Sequence, residues 1–95
     1  IKTGGYKVGA GEVEAALREV AGVAECAVVG EPDDDLGQRI VAHIVRREGV
    51  ELDPDALIEH VATQLTPHKR PREVRFRDSL PRNAMGKVQK KRLLP

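Results

Sequence analysis

The run RIVAHIVRR at residues 39–47 constrains the fold more than any other stretch of this chain. Successive side chains of a β-strand point to opposite faces, so this run divides into two sets. One face carries Ile40, Ala42 and Ile44, and the other carries Val41, His43 and Val45. Since both faces are mainly apolar, the strand is predicted to be central in its sheet.

Two amphipathic helices are predicted, one on each side of this strand in the sequence. In residues 11–20, apolar side chains recur at the spacing of one helix face, at Val13, Ala16, Leu17 and Val20. Glu12 and Glu14 suit the first turn of that helix, and Gly22 ends it. Asp53-Pro54 combines an N-cap with a first-turn proline and opens a second helix that runs to about Leu65. Its apolar stripe is Leu57, Val61 and Leu65.

The remaining segments are shorter. Residues 1–8, with Gly4-Gly5 at the turn, predict a β-hairpin, and residues 23–30 and 73–76 predict strands. EPDDDLGQ at 31–38 is interpreted as a turn-rich loop, TPHKRP at 66–71 as a rigid connector, and the end of the chain as a loop with a short basic helix. The sequence therefore predicts one α+β domain, in which helices cover a small sheet of about three strands with an N-terminal β-hairpin.

Charge is strongly segregated along the chain, although the net charge is only +1. Residues 1–68 contain 6 basic and 13 acidic side chains, whereas residues 69–95 contain 10 basic and 2 acidic ones. This asymmetry indicates an anionic partner at the C-terminal end. A stand-alone basic module that binds nucleic acid or an acidic protein is one candidate. Nucleic-acid binding through base stacking is disfavoured, because Tyr6 and Phe76 are the only aromatic residues. The basic face could still hold phosphates weakly and without sequence preference.

Several other kinds of site find little support. The histidines at 43, 60 and 68 have no second ligand at metal-binding spacing, so no metal site is predicted. GGYKVGAG at 4–11 lacks the lysine-serine ending of a phosphate-binding P-loop. Cys26 lies in an apolar run, which predicts a buried thiol, and a single cysteine fits a reducing, cytoplasmic location. No apolar run is long enough for a membrane span.

Four segments carry a resemblance to a known superfamily. They are IKTGGYKVGAGEVE at 1–14, AECAVVGEPDDDLGQRIVAHIV at 24–45, LTPHKRPREVRF at 65–76, and PRNAMGK at 81–87. In order and spacing they resemble the closing region of the acyl- and aryl-CoA synthetase, luciferase and nonribosomal-peptide adenylation superfamily. The likeness is greatest to malonyl- and methylmalonyl-CoA synthetases. His68 stands where a tyrosine is more usual, and Ala84-Met85 where a Thr/Ser-containing pair is common.

The resemblance implies that residues 1–95 are the small C-terminal lid of an adenylate-forming ligase whose N-terminal domain and hinge are absent. The chain opens at Ile1 rather than Met, and we interpret it as part of a longer protein. In such enzymes a carboxylate attacks ATP, in the presence of Mg²⁺, to give an acyl-adenylate. The lid then rotates, and the thiol of CoA or of an acyl carrier displaces AMP. We expect the isolated domain to be inactive and to bind none of these molecules alone.

The resemblance also assigns site residues. Lys87 matches the lysine that stabilises charge during adenylation, and Gly86 and Pro81 support its loop. Gly5, with Gly4 and Lys7, matches the thiol passage of the rotated state. Lys69 and Arg70 are candidate contacts for the CoA nucleotide, beside His68. Lysine acetyltransferases neutralise the adenylation lysine in this superfamily, so Lys87 is also the acetylation candidate.

Overall fold

The computed structural model describes residues 1–95 as an α+β domain, which confirms the expected class. The strands are β1 (Lys2–Thr3), β2 (Tyr6–Lys7), β3 (Val23–Asp33), β4 (Gly37–Arg46) and β5 (Glu73–Arg77). The α-helices are α1 (Ala10–Arg18) and α2 (Pro54–Gln64), and 3₁₀ turns occur at Pro67–Lys69 and Lys90–Leu93. No helix is long and apolar enough to span a lipid bilayer.

All five strands belong to one sheet, and β4 is central in it. β3 pairs antiparallel with β4 on one side, and β5 pairs parallel with β4 on the other. The N-terminal hairpin of β1 and β2 joins the same sheet through the pairing of Thr3 with Gly37. The hairpin therefore adds two short strands to the three that the sequence predicts.

Residues 31–38 are mostly strand, so the interpretation of EPDDDLGQ as a loop was wrong. Glu31, Pro32 and Asp33 continue the ladder by pairing with Arg39, Gln38 and Gly37, and only residues 34–36 form the turn. The Asp33 carboxylate accepts hydrogen bonds from the N–H groups of Asp35 and Leu36, both at 2.9 Å. Proline is tolerated here because β3 is an edge strand.

The two faces of the sheet are covered by different parts of the chain. Both helices cover the first face, where Ile40, Ala42 and Ile44 lie in the same apolar cluster as residues of α1 and α2. The second face is covered by the C-terminal tail, residues 78–95. Its side chains Leu80, Val88 and Leu93 pack against Ala27, Val29, Val41 and Val45. The predicted division of β4 into two apolar faces is thus confirmed, and the tail acts as its second covering layer.

The Asp53 carboxylate caps α2 as predicted, accepting a hydrogen bond from the N–H of Asp55 at 3.0 Å. Cys26 is buried in the first cluster, and burial raises the pKa of its thiol. Strand β3, which contains Cys26, is held to α1 by Glu14, whose carboxylate accepts a hydrogen bond from the N–H of Val28 at 2.9 Å.

Candidate functional site

The loop that carries Lys87 is a small closed hairpin at the second face of the sheet. Arg82 and Val88 form an isolated antiparallel bridge, and the N–H of Gln89 donates to the carbonyl of Pro81 at 2.8 Å. Val88 packs into the second apolar cluster. Gly86 has φ 84°, a conformation that favours glycine and turns the chain directly before Lys87.

The Lys87 side chain is exposed and makes no ion pair or hydrogen bond within the domain. Two nearby cations differ in this respect. Lys90 lies 2.9 Å from the carboxylate of Glu14, and Arg82 pairs with Glu25. The structure thus holds the backbone of Lys87 in a closed loop while its ammonium is free to meet an external anion.

The N-terminal hairpin forms a second candidate region with the connector after α2. The rings of Tyr6 and His68 stack with centroids 4.0 Å apart and planes 20° from parallel. The next residue, Lys69, pairs with Glu12 at the start of α1 at 2.5 Å. These contacts place Lys69 close to the hairpin that contains Gly5.

Gly5 lies at the tip of this hairpin with φ 83°, and Gly4 precedes it with φ 55°. A Cβ built on Gly5 would meet no atom within 4 Å, so the surface above it is open in this domain. Lys7 is exposed on β2. Arg70 donates to the carbonyl of Pro67 at 2.6 Å, so its guanidinium is partly engaged within the connector.

The two candidate regions are attached to different parts of the domain. Lys69 contacts α1, which covers the first face, whereas the Lys87 loop is anchored on the second face. Two features of these regions escaped sequence reasoning: the Tyr6–His68 stack and the hydrogen bonds that Asn83 makes inside the Lys87 loop. The local signal for the second was an asparagine four residues before Lys87, a residue type that bonds nearby backbone groups in turns.

The other histidines have ordinary surroundings. His60 lies 3.2 Å from the Glu19 carboxylate at the surface. His43 is buried on the second face, and neither ring nitrogen has a hydrogen-bond partner. Burial, with the charges of Arg77 and Arg75, lowers the pKa of His43. No group of three or more His, Cys, Asp or Glu side chains is placed to hold a metal ion.

Comparisons with known sequences give one consistent result. The family model described as "AMP-binding enzyme C-terminal domain" matches residues 12–87. A ligase of Rhodococcus jostii that couples a methyl-dioxo-octahydroindenyl propanoyl group to CoA is 47% identical over 88 residues, covering 93% of this chain and 17% of the relative. The mitochondrial malonate–CoA ligase of Homo sapiens is 44% identical over 94 residues, covering 99% of this chain and 16% of the relative.

Solved structures agree with the sequence relatives. Apo MatB from Rhodopseudomonas palustris superposes with a TM-score of 0.93 at 41% identity, covering 98% of this chain and 18% of that structure. A malonyl-CoA ligase in a ternary product complex with methylmalonyl-CoA and AMP has a TM-score of 0.79 at 57% identity. The match covers 86% of this chain and 18% of that structure. The chain thus spans less than a fifth of the length of these relatives.

Proposed function

The chain belongs to the AMP-binding enzyme C-terminal domain family, and from this premise we propose that it is the mobile lid of an AMP-forming acid–thiol ligase. In the first half-reaction, a carboxylate oxygen forms a bond to the α-phosphorus of ATP while the bond to pyrophosphate breaks. In the second, a thiol sulfur attacks the acyl carbon and AMP leaves. The partner of this domain in both steps is its own large N-terminal domain.

We assign the adenylation step to Lys87. Two anions approach each other in this reaction, and negative charge develops on the oxygens around the α-phosphorus. An ammonium brought to that point stabilises the transition state, and such preorganised electrostatic contacts are worth about 3 kcal/mol. The observation that carries the assignment is the exposed, unpaired Lys87 ammonium on a closed loop, with Gly86 before it.

We assign the thioester step to the hairpin region. Gly5 leaves open space at the hairpin tip, where a pantetheine arm would pass without meeting a side chain. Gly4 and the exposed Lys7 flank this opening, with Lys7 as a contact for the AMP phosphate. Lys69 and Arg70 are candidate contacts for the CoA nucleotide. The location of this region away from the Lys87 loop supports a lid that uses one surface for each half-reaction.

We expect the identity of the acid to depend on the large N-terminal domain. Relatives with 44% to 47% identity are named for acids as different as malonate, sulfoacetate and an octahydroindenyl propanoate. We propose malonate or methylmalonate as the first acids to test, because the 57% identical structure is a malonyl-CoA ligase. We take CoA as the thiol and the cytoplasm as the compartment. No group of carboxylate or histidine side chains in this domain is placed to hold Mg²⁺.

The test uses a ligase in which this domain is joined to its large N-terminal domain, and the two half-reactions are measured separately. Lys87→Ala and Lys87→Arg are expected to slow ATP–pyrophosphate exchange with malonate or methylmalonate by about 100-fold. Thioester formation from preformed adenylate is expected to change little. Lys91→Ala is the matched control, since Lys91 is an exposed tail lysine without an ion pair. Normal exchange in Lys87→Ala would refute the assignment.

We further propose that Lys87 is the acetylation target of a protein lysine acetyltransferase. Transfer of the acetyl group from acetyl-CoA to the amine releases CoA and a proton, and removes the charge that adenylation needs. Incubation of the domain with an acetyltransferase and acetyl-CoA, followed by peptide mass mapping, tests this. Acetylation concentrated at Lys87 supports the proposal, whereas acetylation spread evenly over the lysines contradicts it.

The basic-module alternative loses support from the ion pairs. Of the ten basic residues after position 68, four are paired with carboxylates of the domain itself: Lys69, Arg75, Arg82 and Lys90. A charge-driven binder would hold DNA or heparin with an affinity that rises steeply as salt falls, and would tolerate Lys87→Arg. A titration with heparin at two salt concentrations distinguishes the two functions.

A further inference from the structure

Asn83 holds the backbone around Lys87 with four hydrogen bonds of ordinary length. Its side-chain oxygen accepts the N–H groups of Met85 at 3.0 Å and of Lys87 at 2.9 Å. Its own N–H donates to the carbonyl of Lys87 at 2.9 Å, and its carbonyl accepts the N–H of Gly86 at 2.9 Å. Both backbone polar groups of Lys87 are therefore bonded to the same residue.

Packing contributes little to the shape of this loop. Residues 82–87 are all exposed, and Met85 is 93% accessible to solvent. A loop that buries so little apolar surface gains almost no hydrophobic stabilisation. Its conformation therefore depends on its hydrogen bonds and on the left-handed conformation of Gly86.

Arg82 connects this loop to the sheet. One guanidinium nitrogen donates to the carbonyl of Gly86 at 2.6 Å, and another pairs with the carboxylate of Glu25 on β3. The carbonyl directly before Lys87 is thus linked through one side chain to a strand of the sheet. The loop is fixed both internally, by Asn83, and externally, by Arg82.

We infer that Asn83 is a positioning residue for Lys87, which it holds in one backbone conformation while Arg82 fastens the loop to β3. The inference rests on the proposed role of Lys87 in adenylation. The physical reason is geometric: displacement of a catalytic group by about 1 Å can cost about 100-fold in rate. Without the bonds to Asn83, an exposed loop samples many conformations, and few of them bring the ammonium to the phosphate.

The first test measures backbone amide hydrogen exchange in the 95-residue domain. The amides of Met85 and Lys87 should exchange at least about tenfold more slowly than in an unstructured chain. The amide of Ala84, which makes no hydrogen bond, serves as an internal reference for the same loop. Asn83→Ala should bring all three amides to similar, fast rates. If the Met85 and Lys87 amides of the unmodified domain exchange as fast as in an unstructured chain, the inference is overturned, and no variant is needed to show it.

The second test measures kinetics in the full ligase. Asn83→Ala should lower kcat for pyrophosphate exchange by about tenfold or more, with little change in the KM for ATP and in thioester formation from preformed adenylate. Asn83→Ser keeps a side-chain acceptor and should recover part of the loss. Gln89→Ala is the matched control, because Gln89 lies beside the loop and the one hydrogen bond of its side chain is accepted from Arg92, at 3.3 Å.

The outcomes separate the two proposals. If Lys87→Ala abolishes exchange but Asn83→Ala leaves it unchanged, the positioning role is wrong and the role of Lys87 stands. If Lys87→Ala has no effect, the proposed function itself fails. A general loss of both half-reactions in Asn83→Ala, matched by a lower unfolding temperature, would also overturn the inference, because it would indicate a merely structural residue.

Discussion

The rings of Tyr6 and His68 stack at a centroid distance of 4.0 Å, and this contact joins the N-terminal hairpin to the connector after α2. The two residues are 62 positions apart in the sequence, from 6 to 68. The stack brings Gly5 and Lys69, which the resemblance assigns to the same half-reaction, into one region. A double-mutant cycle of Tyr6→Ala and His68→Ala should give a coupling energy of about 0.5 kcal/mol, because the pair is partly exposed. Chemical denaturation measures it, and additive losses would show that the stack contributes no stability.

Gly5 and Gly49 provide a matched pair for the proposed thiol passage. Both have positive φ, 83° and 76°, and a Cβ on either would meet nothing within 4 Å. Gly5→Ala and Gly49→Ala should therefore each cost about 1 kcal/mol of stability through backbone strain. In the full ligase, only Gly5→Ala should slow thioester formation from preformed adenylate. Equal kinetics in the two variants would remove Gly5 from the passage.

His43 should make the stability of the domain depend on pH. Its ordinary pKa is 6.5, and in the folded domain burial and the charges of Arg77 and Arg75 lower that pKa, although Glu31 and Glu73 oppose the shift. Below pH 6.5 the unfolded chain binds a proton that the folded domain takes up only at lower pH, so the free energy of unfolding should fall as pH falls.

His43→Leu tests this pH dependence. The variant removes two buried ring nitrogens without partners and should raise the free energy of unfolding at pH 7 by about 1 kcal/mol. It should also flatten the decline as the pH falls below 6.5. Urea denaturation of both proteins across this range gives the comparison, and identical slopes would exclude His43 as the source.

Glu31 is the buried centre of an ion-pair network on the second face. It is 1% exposed and binds Arg39 at 3.1 Å and Arg75 at 2.7 and 3.0 Å. Glu31→Gln should destabilise the domain by about 2 kcal/mol, below the range for fully buried pairs, because both arginines retain contact with water. Glu25→Gln, which breaks the exposed pair with Arg82, is the control and should cost less than about 1 kcal/mol. Equal losses would mean that burial of Glu31 adds nothing.

The regular elements were predictable because their patterns are periodic and local. The alternation at 39–47 correctly divided β4 between two apolar faces, and Asp53-Pro54 correctly marked the start of α2. The extent of the β3–β4 ladder was missed, because Pro32 and the aspartates after it are typical of loops. Here ladder pairing with residues 37–39 prevailed over local preference.

The sequence by itself determined the α+β class, the central strand and, through ordered motifs, the family to which the chain belongs. Only the tertiary structure decided what covers the second face of the sheet. Leu80, Val88 and Leu93 follow no helical or strand period, so their common contact with β3 and β4 emerges only when the tail crosses the sheet. The hydrogen bonds between Asn83 and Lys87 likewise depend on the left-handed backbone of Gly86, because a loop without a repeating pattern takes its shape from individual contacts.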